Sequence, residues 1–410
     1  MKILQINKFY HIVGGVDRYF FEVSNLLEKK SNKIAYFSMH DEINKNTKWS
    51  KYFVSYVSFK NINLNNGLNV ISRMIYSLEA RKKLSYLLDN FTPDIAHVHN
   101  IYHQISPSII SELKKRNIPI IHTVGDYHLI SPHHNNLFHN GNICEVTKKH
   151  RYYNAIIHKC VKNSYIASFV EVLEQYIHWV LGLYTKNVDY YISPSTFLKH
   201  KLIEHGFPES KLLILPYFIE SKKYDVNFSK KSYVLYFGRL SPEKGLRFLL
   251  TVMKFLPHIQ LKVIGKGSEG EVLKMIVKKE NIQNIQIIDQ FIPEYLLRRF
   301  LNKSAFVILP SISMETFGIS ILESFASGKP IVASRIGAIP ETIKDGYNGF
   351  LFESGNVDDC AEKISKLWNN PTLCKKMGKN ARKYVEKNFS SEEHYKKLMN
   401  IYKKAIELHI

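Results

Sequence analysis

The stretch LPSISMETFGISILESFASGKPIVASRIGAIPETI, residues Leu309–Ile343, decides how this chain is read. It opens on the end of an apolar strand, Ala305 to Leu309, closed by Pro310 and Ser311. A polar loop leads into a helix expected from near Phe317-Gly318 to Ser327-Gly328, where Gly328 is the stop signal. A second strand, Pro330 to Ser334, follows. Strand, glycine-containing loop and helix start, in that order, turn backbone N–H groups and the positive end of a helix dipole toward an anion. Glu315 and Glu323 fall on that loop and helix. Carboxylates repel phosphate but accept hydrogen bonds from sugar hydroxyls. Phosphate donors beside hydroxyl acceptors suit a nucleotide sugar, although two such Glu also fit an ordinary solvated helix face.

Working outward, strands and helices alternate along the whole chain, the pattern of parallel-sheet α/β domains. Lys2–Ile6 reads as the first strand. His11-Ile-Val-Gly14-Gly15 then leads into a helix from about Asp17 to Lys30, and a glycine pair there lets backbone approach a phosphate. A helix is expected from about Val70 to Leu88, carrying Arg73, Arg81, Lys82 and Lys83, a cationic face for lipid headgroups or simply for solvent. The segment Asn44–Asn69 has no clean period. Pro93–Asn100 and Pro119–Tyr127 read as strands running into loops. Ligands bind beyond the carboxyl ends of parallel strands, so His99, His122 and Asp126 are candidate cleft or acceptor residues, with a structural histidine the plain alternative. Ser221–Lys231 is polar and lysine-rich and reads as a linker. Beyond it, Tyr233–Phe237 runs into Gly238-Arg239 and on to Lys244-Gly245, two cations in a strand-end loop that suit a departing diphosphate. Leu261–Gly267 is another strand into a glycine turn, and it lacks the Gly-Lys-Ser/Thr of a P-loop.

The chain has 410 residues, more than one core usually organises, so two domains are expected. A formal net charge of +21 asks for an acidic partner. No RNA-binding signature or basic-aromatic repeat accompanies it, which favours a sugar nucleotide and an anionic membrane surface over nucleic acid. Four cysteines make no disulfide framework and fit a reducing compartment. The N-terminus turns polar too soon for a signal peptide, and the apolar stretch Ile166–Tyr184 is broken by Glu171, Glu174, Gln175 and His178. A cytoplasmic protein, peripheral on the inner face of a membrane, is the expectation. His122, His128, His133, His134, His139, His150 and His158 cluster in sequence with Cys144 and Cys160, but their spacing defines no tetrahedral metal site, and none is expected.

Glu315 and Glu323 eight apart, then Gly328-Lys329-Pro330-Ile-Val-Ala333, Gly337 and Pro340-Glu341, resemble the donor site of the family-4 retaining glycosyltransferases. The Arg239 to Lys244 loop and the Pro194-Ser-x-Phe197 segment agree with it. The resemblance implies the GT-B fold: α/β, two facing Rossmann-like domains with a central cleft. It divides the chain into an acceptor-side domain, 1–220, a nucleotide-sugar domain, 221–389, and a C-terminal helix, 390–410, crossing back to the first. It further implies that Arg239 and Lys244 hold the leaving diphosphate, and that Glu315 binds the donor sugar beside backbone donors of Phe317, Gly318 and Ile319. Glu323 would hold the ribose. Gly238, Gly265, Gly14 and Gly15 would line the nucleotide and phosphates. The function implied is hexosyl transfer from a UDP- or GDP-sugar to a hydroxyl of a glycan or lipid-linked acceptor in cell-surface polysaccharide or glycolipid assembly. No Asp-x-Asp motif occurs, so no metal cofactor is expected at the diphosphate. One departure stands out. Relatives carry His-Asp-aromatic where this chain has Gly125-Asp126-Tyr127, so a catalytically silent sugar-nucleotide or glycan-binding partner is the alternative. Ser131 and Thr147 also replace two family cysteines, which leaves Cys144 and Cys160 a poor metal set.

Overall fold

The computed structural model describes residues 1–57, 67–132, 137–139, 141–228 and 232–410. His133, His134, the middle of Asn44–Asn69 and the end of the Ser221–Lys231 linker lie outside them. The chain forms two compact units. The first holds Met1–His134, Glu145–Leu215 and Tyr395–Ile410, and the second holds Asn135–Cys144 and Pro216–His394.

In the first unit the strands are β1 (Lys2–Ile6), β2 (Lys33–Phe37), β3 (Ile95–Val98) and β4 (Ile120–Thr123), followed later by β7 (Tyr190–Ser193) and β8 (Leu212–Ile214). Between them in sequence, β5 (Phe138–His139) and β6 (Asn142–Ile143) form a short antiparallel ribbon. The six-stranded sheet runs β2-β1-β3-β4-β7-β8, with every pairing parallel. Central strands such as β3 and β4 are buried at every position, as expected when helices cover both faces. The strand order reverses between β1 and β3. Loops leaving those two strands therefore open at the switch point where such sheets bind ligands.

The expected Val70–Leu88 helix is instead two, Gly67–Ile75 and Leu78–Asn90. Ser77 sits between them in an extended conformation, and its hydroxyl accepts from Ala80 N at 3.1 Å. Its own N–H donates to Ser106 Oγ at 2.8 Å, so a serine competes with the helix ladder and caps a new start. The cations on this segment are largely spoken for: Arg73 and Lys83 pair with Glu79, and Arg81 with Glu112. At the C-terminus, Tyr402 is wholly buried, its hydroxyl 2.7 Å from His97 Nδ1.

The second unit repeats the plan with β9 (Val234–Phe237), β10 (Leu261–Gly265), β11 (Ile285–Asp289), β12 (Phe306–Leu309), β13 (Ile331–Ser334) and β14 (Gly349–Phe352). The order is β11-β10-β9-β12-β13-β14, again all parallel, so the switch point falls between β9 and β12. Val234, Tyr236, Leu249, Ile308, Val332, Phe352 and Leu367 belong to one core that fixes both strands. Both units are Rossmann-like.

Candidate active site

The two loops at the second unit's switch point are fastened to each other. After β9 the chain passes Gly238 and Arg239 into a single 3-10 turn, Pro242–Lys244. Ile312 N donates to the Glu243 carbonyl at 3.1 Å, bonding the loop after β12 to that turn. Gly245 follows with φ +69°, and a Cβ there would lie 1.9 Å from the Pro310 carbonyl oxygen. Only glycine meets both demands, the left-handed backbone and the close approach. The result places Lys244 Nζ 2.6 Å from Glu315 Oε1. Ser311 Oγ donates to the same oxygen at 2.6 Å. Gly337, with φ +57°, lets the next loop pass so close that its Cβ would fall 2.5 Å from the backbone of Glu315. Burial works against the Glu315 charge, but Lys244, then Ser311 and Arg239, outweigh it and hold the carboxyl below its ordinary range.

The other donor-side candidates of this unit fall on its adjoining loops and helix. The guanidinium-bearing residue Arg239 is exposed, its carbonyl accepting from Tyr236 Oη at 2.8 Å. Gly238 donates its N–H to Ile264 O at 3.1 Å, and Gly265 ends β10. The expected helix is present as Ile319–Ala326, with Gly318 at its N-cap and no side-chain cap. An uncapped N-terminus leaves the dipole's positive end for a ligand. Phe317 is buried in an aromatic group with Tyr217 and Phe389, ring centroids 5.1 and 6.1 Å away. Glu323 is buried within the helix. Lys329, inside the motif, turns the other way: Nζ donates to the carbonyls of Asn227, Asn302 and Ser304 at 2.7, 3.0 and 2.8 Å. It ties chain segments together, and burial lowers its pKa to about 8.

In the first unit, Gly14 and Gly15 begin the Gly15–Lys29 helix, and the Gly14 N–H donates to Asp17 Oδ2 at 3.0 Å. Asp17 also accepts from Asn7 Nδ2 at 2.9 Å. His99 and His122 have no exposed surface. His99 Nε2 contacts Gln5 Oε1 at 2.8 Å, and His122 Nε2 donates to the His99 carbonyl at 2.9 Å. Burial pushes both imidazoles down, His122 to about 4. Asp126 accepts from His128 N at 2.9 Å, and burial raises its carboxyl. The hydroxyls that replace two family cysteines meet, with Ser131 Oγ 2.9 Å from Thr147 Oγ1. Sequence reasoning missed Ser311 as the second partner of Glu315. It also missed a buried group of His103, His128, Glu171 and Glu174, drawn from two loops and the Tyr165–Val180 helix.

Comparison with known proteins identifies the family. Residues 13–223 match the family described as Glycosyltransferase Family 4, and residues 218–384 match Glycosyl transferases group 1. An uncharacterized glycosyltransferase of Methanocaldococcus jannaschii is 24% identical over 96% of this chain and 95% of its own length. The amylovoran biosynthesis glycosyltransferase AmsK of Erwinia amylovora is 25% identical over 50% of this chain and 54% of its own. Among solved structures, sucrose-phosphate synthase from Thermosynechococcus elongatus superposes with a TM-score of 0.75 at 16% identity, covering 99% of both chains. The Anabaena protein HepE, in complex with UDP and glucose, gives a TM-score of 0.69 at 14% identity over 98% of this chain and 100% of its own. The chain belongs to the family-4, group-1 glycosyltransferases, and its fold is GT-B. It is a glycosyltransferase with relatives in polysaccharide biosynthesis.

Proposed function

We propose that this chain is a retaining hexosyltransferase that uses a UDP- or GDP-sugar and glycosylates a hydroxyl of a glycan or lipid-linked acceptor in cell-surface polysaccharide or glycolipid assembly. One observation carries the reading: Lys244, Glu315 and Ser311 meet at the switch point, ahead of an uncapped helix N-terminus. Lys244 and Arg239 neutralise the charge that grows on the leaving diphosphate, an interaction worth most in the transition state. Glu315 takes a hydroxyl of the donor sugar, and the backbone at Phe317, Gly318 and Ile319 lies beside it. Glu323 holds the ribose. With two cations serving the diphosphate, no divalent metal is required there. A relative named for amylovoran biosynthesis supports the acceptor class, and a structural neighbour's complex with UDP and glucose supports the donor class.

We also propose that the first unit rests on the cytoplasmic face of an anionic membrane. Tyr153, Ile157, Tyr165, Ile166 and Phe169 are exposed apolar side chains, and Lys149, Arg151 and Lys162 are exposed among them in sequence. Lys159 Nζ sits 4.4 Å over the Tyr165 ring, so cation and apolar edge share one surface. Such a surface suits acidic headgroups over acyl chains. Among the described residues, no helix is long and apolar enough to cross a membrane.

The test supplies UDP- and GDP-linked hexoses with and without lipid-extract acceptors. Acceptor-dependent release of one nucleotide, with the anomeric configuration of the product unchanged, is expected. Binding without release under every condition would point instead to the silent partner that Gly125 raised. Cosedimentation with acidic but not zwitterionic vesicles at low salt, reduced by Ile166→Asp, is expected, and indifference to vesicle charge would remove the membrane claim.

A further inference from the structure

The first unit encloses a group of side chains that donor chemistry leaves unused. His103 follows β3, His128 follows β4, and Glu171 and Glu174 project from the Tyr165–Val180 helix. All four are buried, and the Glu174 side chain is 1% exposed. One nitrogen of each imidazole and one oxygen of Glu171 fall within 4.8 Å of one another. His103 Nε2 faces Glu171 Oε1 at 3.5 Å, while its Nδ1 lies 3.1 Å from Glu174 Oε2. A carboxylate behind the far nitrogen of a ligating histidine is the usual way such a ring is oriented.

Two polar atoms mark what is missing. Glu171 Oε2 and Glu174 Oε1 are buried without a hydrogen-bond partner. Glu174 Oε1 faces His178 Nδ1 at 3.9 Å, and His178 Nε2 is 2.8 Å from the Ile75 carbonyl. With Nε2 donating, the neutral ring turns an acceptor toward an acceptor, a contact that positive charge beside it relieves; His103 faces both carboxylates but bonds neither of these two oxygens. Lys8 makes no ion pair with either Glu among the described residues.

We propose that His103, His128 and Glu171 bind one divalent transition-metal ion of the zinc class, with Glu174 orienting His103. Two imidazoles and a carboxylate form a borderline nitrogen–oxygen donor set that suits zinc or cobalt over magnesium. Bonds of about 2.0–2.1 Å require the donors to draw together by roughly an ångström. Three ligands leave a coordination position open. The ion pins the loops after β3 and β4 to one helix, so it shapes the first unit and takes no part in holding the donor diphosphate.

The test strips the full-length protein with chelator and titrates Co²⁺. One equivalent should bind with the visible absorption of a tetrahedral nitrogen–oxygen complex, without thiolate charge transfer, and Zn²⁺ should displace it. Glu171→Gln and His128→Gln should each weaken binding at least about tenfold while unfolding cooperatively without metal, and Cys144→Ser should change nothing. Zinc should also raise the thermal midpoint of the parent protein and of neither ligand variant. The site is overturned by absence of the visible band, by a band both variants retain, or by thiolate charge transfer. These readouts do not depend on turnover, so this site and the proposed transferase reaction fail separately.

Discussion

The two units carry the same sheet plan and use their switch points differently. In the second, Lys244 and Glu315 reach one another through glycines that let loop backbones touch, and the Glu315 oxygen at the contact accepts from both Lys244 and Ser311. In the first, the polar side chains near the strand ends face inward. His99 is buried against Gln5, 94 residues away in the chain, and His103 meets Glu174 across 71. A site built on short loops tied by backbone contacts is specified by motif. A polar interior assembled from remote segments is specified by packing, and its chemistry depends on what fills it.

That contrast can be broken most severely at Lys244. Lys244→Ala should reduce turnover by about 10²–10³-fold and, by removing the cation bonded to the buried Glu315, cost about 3 kcal/mol of stability. Turnover assays and denaturant unfolding read both. If the second unit depends on loop contact, Gly245→Ala should cost about 2 kcal/mol and lower turnover with it, because a left-handed residue gains a Cβ against Pro310. A smaller effect belongs to the first unit: Tyr402→Phe should cost about 1 kcal/mol through the lost contact with His97 and leave nucleotide affinity unchanged. The gentlest test is pH. The Glu315 carboxyl is depressed in the folded state, so the stability it contributes is present above its ordinary, unfolded-state range. It is lost as pH falls through the lower folded value. Acid unfolding of Glu315→Gln should therefore lack that component, and identical acid profiles would contradict the pairing.

Much of the second unit was legible because its signals are local. Leu309–Ile343 contains a strand, a glycine N-cap, a helix and a second strand in the expected order, and the observed helix Ile319–Ala326 lies within the expected bounds. The Arg239 to Lys244 loop was legible as chemistry, but its partner was not. That Lys244 reaches Glu315, and that Ser311 shares the oxygen, depends on β9 and β12 being neighbours, which no spacing along the chain records. Lys329 looked like part of the donor motif and proves to bind three carbonyls. The break at Ser77 was hidden because apolar periodicity continues across it, while the competing bond comes from Ser106. Dense histidines were visible between His122 and His158, yet His103, Glu171 and Glu174 lie outside any metal-binding spacing.

Calorimetric titration of UDP and GDP into the parent protein and Lys244→Ala tests the central claim most directly, since it isolates the diphosphate from acceptor and membrane. One nucleotide should bind the parent protein, and its affinity should fall at least about tenfold in the variant, the loss of roughly 1.4 kcal/mol or more of charge-assisted contact. Equal affinity in both proteins would contradict the placement of the donor diphosphate beside Lys244.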